Sequence, residues 1–153
     1  MVSVNQEELE ARLTATTRER LKGLDERFRT LAYGLCLCGQ AVGLDVQVSS
    51  GRRSRVEQET LYAIGRTKPG KIVTNARFGE SAHNFGLAVD VFVRVKDARG
   101  GYKADWSPSL YEKLWAAAQA AGLDAAGLAW AGNWKGKFKE LVHFELAGWR
   151  QLD

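Results

Sequence analysis

The stretch LAVDVFVRV, residues 87–95, decides the fold that we expect for this chain of 153 residues. Apolar and polar residues alternate along it, and this period of two is typical of a strand whose two faces meet different surroundings. Five aliphatic side chains share one face and predict its burial: Leu87, Val89, Val91, Val93 and Val95. Asp90 lies on the other face, so the strand carries a carboxylate opposite its apolar surface.

Further strands and helices are indicated on both sides of this segment. Alternation predicts strands at residues 44–51 and about 141–146. Amphipathic spacing predicts a helix, or two helical pieces, within residues 6–32. Ser54 with Glu57 forms a capping box that opens a helix to about residue 64, and Ser107-Pro108 opens another to about 121. The sequence therefore predicts one α+β domain over residues 1–153, with a helical segment at 6–40 and a core at about 45–147.

Composition restricts the function classes. Apolar residues make up 45% and charged residues 26%, which is ordinary for a globular protein and argues against disorder. No apolar run is long enough for a membrane helix, and the acidic N-terminus lacks the pattern of a secretory signal. The net charge of +4 favours anionic partners such as cell-wall polymers, although a merely solvated basic face is equally consistent. We expect Cys36 and Cys38 to be buried apolar residues, since two cysteines this close are poor disulfide candidates.

The chain has two histidines, and each stands beside carboxylates at the end of a predicted strand. A catalytic zinc ion takes three protein ligands and leaves one position open. His83, Asp90 and His143 satisfy this need, because a turn at Gly86 can bring the first two to one ion. The alternatives are ordinary polar histidines and an Asp90 that forms a salt bridge with Arg94.

A general base is also expected beside the metal, and Glu140 is the candidate. It stands three residues before His143, and residues three apart in a strand face opposite sides. Glu140 must therefore lie in the turn before the strand. Glu145 is a rival base, but it shares a face with His143 and is better suited to orient that ring.

Three other residues are candidates for contacts with a reacting group. Arg53 is a fixed cation that can stabilise a developing oxyanion, or simply part of a basic face with Arg52 and Arg55. Ser81 either orients a ligand or shapes its turn. Trp134 either lines a pocket or fills the core. Lys135, Lys137 and Lys139 form a basic run that attracts an anionic polymer or is only solvated.

Two motifs resemble those of a known enzyme family. Ser81-x-His83-x-x-Gly86-x-Ala88-x-Asp90 resembles the signature of the zinc D-alanyl-D-alanine carboxypeptidase family, which includes the L-alanyl-D-glutamate endopeptidases of bacteriophage endolysins. Glu140-x-x-His143 resembles its second motif. Three further segments resemble the family less specifically. Residues 51–54 resemble its G-x-R-S/T segment, Gln58 its glutamine, and 132–134 its G-D-W turn, with Asn133 in place of the acid.

The resemblance implies a specific site. One zinc ion is held by His83, Asp90 and His143, with Glu140 as base and Arg53 near the scissile carbonyl. Ser81, Gln58 and Trp134 are the predicted substrate-binding residues. The fold implied is a small central antiparallel sheet flanked by helices, of the Hedgehog and D,D-peptidase type.

The resemblance also implies peptidoglycan as substrate. We favour an L-alanyl-D-glutamate endopeptidase that acts as a phage endolysin. It would be a monomer, made in the cytoplasm without a signal peptide and released to the wall through a holin-type pore. The alternatives are a D-alanyl-D-alanine carboxypeptidase and a non-catalytic wall-binding or phage structural module. Nucleic-acid binding has no motif to support it, and no membrane insertion is expected.

Overall fold

Five strands form one antiparallel sheet in the computed structural model, which describes residues 5–134 and 140–152. The strands are β1 (Asp45–Ser50), β2 (Ala88–Lys96), β3 (Tyr102–Asp105), β4 (Leu128–Trp130) and β5 (His143–Leu146). Their order is β1-β2-β5-β4, and β3 also pairs with β2. The basic run Lys135, Lys137 and Lys139 lies outside the described residues.

Strand β2 is the centre of the sheet, as its alternating pattern predicts. One edge pairs with β1, while the other pairs with β5 through residues 88–90 and with β3 through residues 93–96. Val89, Val91 and Val93 are at most 2% exposed, so the predicted apolar face is the buried one. Asp90 therefore points to the opposite face of the sheet. At this position the neighbouring strand is β5.

The described residues also form five α-helices. They are α1 (Gln6–Ala11), α2 (Ala15–Lys22), α3 (Glu26–Ala41), α4 (Arg55–Ala63) and α5 (Pro108–Ala120). Helix α3 packs against α5 and β1, and Phe28, Leu35, Tyr111 and Leu114 are fully buried between these elements. Cys36 is buried within α3, as expected, whereas Cys38 is only partly buried.

The N-terminal segment departs from the sequence prediction. Residues 6–32 were expected to hold one helix or two pieces, but three helices occur and the third continues to Ala41. The side chains of Thr14 and Asp25 each accept a hydrogen bond from a backbone N–H and so begin a new helix. These caps divide a stretch whose apolar spacing alone is nearly continuous.

Strands β3 and β4 were not predicted. They contain four and three residues, too few to display an alternating pattern. The segment from Ala129 onward was expected to be a turn rich in Gly and Trp, yet residues 129–130 belong to β4 and hydrogen-bond with β5. The predicted helix starts agree, since Ser54 and Glu57 form the capping box of α4 and Pro108 begins α5. The last strand begins at His143, two residues later than the predicted start near 141.

Gly86 joins the histidine turn to β2 in a conformation that disfavours a side chain. Its φ is +70°, and a Cβ there would come within 2.6 Å of the backbone N of Asp25. We expect Gly86→Ala to lower the free energy of unfolding by about 2 kcal/mol or more in urea titration, because strain and overlap add.

Gly43→Ala is the matched control for this substitution. Its φ is +83°, but a Cβ there would meet no atom within 4 Å. Only the cost of about 1–2 kcal/mol for a left-handed residue is then expected. Equal losses in the two variants would show that the contact with Asp25 contributes nothing.

Candidate metal centre

His83, Asp90 and His143 converge at one end of the sheet. Their nearest ligand atoms all lie within 4.8 Å of one another. His83 sits in a 3₁₀ turn at Ala82–Phe85, and Gly86 leads the chain from that turn into β2. The antiparallel register sets Asp90 directly opposite His143 on β5. Sheet register and one tight turn therefore assemble the three predicted ligands.

Hydrogen bonds fix which nitrogen of each ring faces the cluster. Nδ1 of His83 lies 2.8 Å from the carbonyl oxygen of Gly51, and Nε2 lies 3.4 Å from Oδ2 of Asp90. Nδ1 of His143 lies 3.1 Å from Oδ1 of Asp90, while Nε2 lies 2.8 Å from Oε1 of Glu145. Each imidazole thus offers one nitrogen to the centre and uses the other as an anchor, the usual arrangement of ligating histidines.

The electrostatics of the cluster suit a cation. Burial raises the pKa of Asp90, but hydrogen bonds and charge from His143 and His83 outweigh it and hold that pKa below its ordinary value. Burial lowers the pKa of His143, yet Asp90 and Glu145 outweigh it and raise the pKa to about 9. The carboxylate therefore favours a positive charge beside it, and two nitrogens with one oxygen form a donor set that fits a metal ion such as zinc.

Glu140 lines the same cleft as the three ligands. The cleft has a volume of about 380 Å³ and is also bordered by Arg53, Ser81 and Trp134. Glu140 lies in the turn before β5, as its spacing from His143 predicts, and it is exposed. Trp134 is 39% exposed, and its ring centroid lies 5.5 Å from that of His143, so it forms a wall of the cleft.

Arg53 approaches the cluster from the side of α4. Its Nη2 lies 3.8 Å from Oδ2 of Asp90, and its Nη1 donates to Oε1 of Gln58 at 3.0 Å. The side chain is only 14% exposed, which differs from a solvated basic face. Arg94, the alternative partner of Asp90, instead pairs with Asp45 at 2.7 Å.

Gln58 and Ser81 form hydrogen bonds within the protein at the edge of the site. Gln58 is 0% exposed, and its Nε2 donates to the carbonyl oxygen of Ala76 at 2.7 Å. Both polar atoms of Gln58 are therefore used within the protein, whereas the sequence predicted a contact with substrate. Its Oε1 accepts from Arg53 and orients that side chain. The Ser81 hydroxyl accepts from the backbone N–H of His83 at 3.3 Å and shapes the turn while lining the cleft.

Glu145 is expected to control how well His143 binds a metal. Removing a carboxylate that anchors a ligating histidine typically weakens metal binding by about 10- to 100-fold. We expect that loss for Glu145→Ala and a smaller one for Glu145→Gln, which keeps an oxygen for Nε2 of His143. Competition with a chromophoric chelator measures zinc affinity; unchanged affinity in Glu145→Ala would refute the anchoring role.

Comparison with known proteins gives a match over the residues of this site. Residues 74–146 match the family model described as D-alanyl-D-alanine carboxypeptidase, a range that contains all three clustered residues and Glu140. Just under half of the chain is therefore similar to this family. The resemblance indicated by the two motifs is thereby confirmed.

A curated relative and a solved structure extend the comparison. The chain is 39% identical over 104 residues to the peptidoglycan L-alanyl-D-glutamate endopeptidase CwlK of Bacillus subtilis. The aligned region covers 68% of this chain and 62% of that protein. The chain thus spans less than two thirds of that relative's length. The Serratia marcescens L-Ala D-Glu endopeptidase ChiX matches with a TM-score of 0.63 and 24% identity, over 90% of this chain and 91% of that one. The chain therefore has the predicted α+β fold.

Proposed function

We propose that this chain is a zinc metallopeptidase that cleaves the L-alanyl-D-glutamate bond in peptidoglycan stem peptides. The observation that carries the proposal is the convergence of His83, Asp90 and His143 in a cleft that Glu140 also lines. The names of the two relatives support the choice of bond, since both are L-alanyl-D-glutamate endopeptidases.

Five residues that line the cleft have roles in this reaction. His83, Asp90 and His143 would hold one zinc ion, which supplies Lewis-acid activation of water and of the scissile carbonyl. Glu140 accepts a proton from the attacking water and passes it to the leaving amine. Arg53, oriented by Gln58, donates hydrogen bonds to the negative charge that develops on the carbonyl oxygen.

The extent of the cleft favours an endopeptidase over a carboxypeptidase. A cavity of about 590 Å³ adjoins the metal cleft at Glu80, Trp149 and Arg150. Another of about 600 Å³ adjoins it at Trp134 and Glu140. These two adjoining cavities give the cleft room for a peptide longer than the dipeptide that a carboxypeptidase cuts. The D-alanyl-D-alanine carboxypeptidase, named in the family description, is the second candidate.

The substrate and the place of action belong to the same proposal. A net charge of +4 favours approach to an anionic wall, where the protein would act as a monomer. Across the part of the chain that the structure describes, no helix has the length and apolarity to cross a membrane. As an endolysin released through a holin-type pore, the protein should lyse bacteria when it is expressed together with a holin. Absence of lysis when the protein and the holin are both expressed would contradict this role.

Digestion of purified peptidoglycan tests the activity itself. Mass spectrometry of the products should show D-glutamate with a new free amine and alanine with a new carboxyl. Release of terminal D-alanine would instead identify the carboxypeptidase. Retention on the wall without any cleavage would reject both enzymes in favour of a binding module.

A further inference from the structure

Arg150 lies where three cavities meet. It lines the metal cleft, the adjoining cavity that contains Phe85 and Trp149, and the cavity bordered by residues 72–76. Glu80 is the other charged residue shared by all three, and its Oε1 accepts from the backbone N–H of Arg77 at 2.8 Å. A substrate that extends from the metal cleft into either adjoining cavity therefore passes Arg150.

Among the described residues, no acidic side chain pairs with Arg150, whereas two other arginines nearby have polar partners. Arg27, in the Phe85 cavity, makes two hydrogen bonds to the carboxylate of Asp25 at 2.9 and 3.1 Å. Arg53 is bound to Gln58 and approaches Asp90. Within residues 5–134 and 140–152, Arg150 has no ion pair; its guanidinium carbon lies 4.6 Å above the ring of Trp149.

Trp149 gives this cation a fixed platform. The indole is only 8% exposed, and its ring centroid lies 5.9 Å from that of Phe85. A guanidinium stacked on an aromatic face keeps its N–H edge free, and this planar edge matches a carboxylate in a bidentate pair. Arg150 on Trp149 therefore has the chemistry of a carboxylate-binding group in the metal cleft.

The proposed substrate carries such a group at the right place. Glutamate has two carboxyl groups, and only one of them can continue the stem once its amine is joined to alanine. The second carboxyl remains on the residue that supplies the leaving nitrogen, immediately next to the cleaved bond. It needs a cationic partner, because a carboxylate brought into a cleft without one loses its hydration uncompensated.

We propose that Arg150 binds the free carboxylate of D-glutamate and thereby sets the preference of the enzyme for that residue. This inference rests on the proposed endopeptidase function. It assigns Arg150 to substrate recognition, whereas Arg53 acts at the scissile carbonyl. An amidated D-glutamate keeps the same shape but loses the charge, so it should be a poorer substrate.

Two muropeptides that differ only in this group test the proposal, one with the free carboxyl and one with its carboxamide. We expect wild type to favour the carboxyl form by about 10- to 100-fold in kcat/KM, the range of a charge-assisted hydrogen bond. Arg150→Met should reduce the ratio to near one, chiefly by slowing the carboxyl form, and Arg150→Lys should restore part of it. A merely structural role would slow both peptides equally.

Arg99→Met is the matched control, because Arg99 is exposed in the turn between β2 and β3 and its loss removes the same charge. It should keep the wild-type ratio. The proposal is overturned if Arg150→Met retains the preference or if wild type shows none, and the endopeptidase function would survive either result. If wild type cleaves neither peptide, the proposed function itself fails and the inference with it.

Discussion

Replacing Glu140 by glutamine is expected to lower kcat on peptidoglycan by about 10²- to 10⁴-fold, the usual contribution of a general base. Glutamine preserves the shape of the side chain but cannot accept the proton of the attacking water. Because Glu140 lies in the turn before β5 and is not one of the clustered ligands, the variant should retain about one zinc per chain. Product release from labelled peptidoglycan and metal analysis of the same sample measure both quantities.

Glu145→Gln is the informative companion, since Glu145 also lines the cleft. It should keep far more activity than Glu140→Gln when zinc is supplied in excess, because its carboxylate is occupied with Nε2 of His143 at 2.8 Å. The reverse order of activities, with zinc bound in both variants, would assign the base to Glu145 and reject Glu140.

Asp90→Asn is expected to remove the metal and, with it, nearly all activity. Asp90 is the anionic member of the cluster and lies opposite His143. Its Oδ2 faces His83 and Arg53. The amide is neutral and a weaker ligand, so it no longer offsets the charge of a divalent ion in this buried position. Zinc content after dialysis should fall from about one per chain to a small fraction, while circular dichroism shows an intact fold.

Asp45→Asn provides the matched control on the neighbouring strand. Asp45 is also a partly buried aspartate, but its partner is Arg94 at 2.7 Å and it lies outside the metal cleft. It should keep its zinc and its activity. Stoichiometric zinc in Asp90→Asn, or equal losses in the two variants, would show that Asp90 is not a ligand.

The centre of the fold and the clustered residues were accessible from the sequence because local patterns encode them. The alternation of residues 87–95 identified β2 and placed Asp90 on its polar face. Glu140 was placed in a turn because a three-residue offset from His143 is incompatible with one strand face. Both inferences need only the period of a strand, and the structure agrees with both placements.

Other features depend on contacts between distant parts of the chain, which a single sequence does not display. β3 and β4 are too short to carry a pattern and exist because β2 and β5 offer them paired edges. The burial of Gln58 follows from how the loop near Ala76 packs on α4. Arg150 belongs to no sequence motif, and its position among three cavities depends on how distant segments pack.

The most direct test of the account is the position of zinc in a crystal of the purified protein, located by anomalous scattering at the zinc edge. We expect one strong peak about 2.0–2.2 Å from Nε2 of His83, Nδ1 of His143 and a carboxylate oxygen of Asp90, the usual zinc distances to nitrogen and oxygen. A zinc-saturated crystal with no peak among these three residues, or with its zinc elsewhere, would contradict the account.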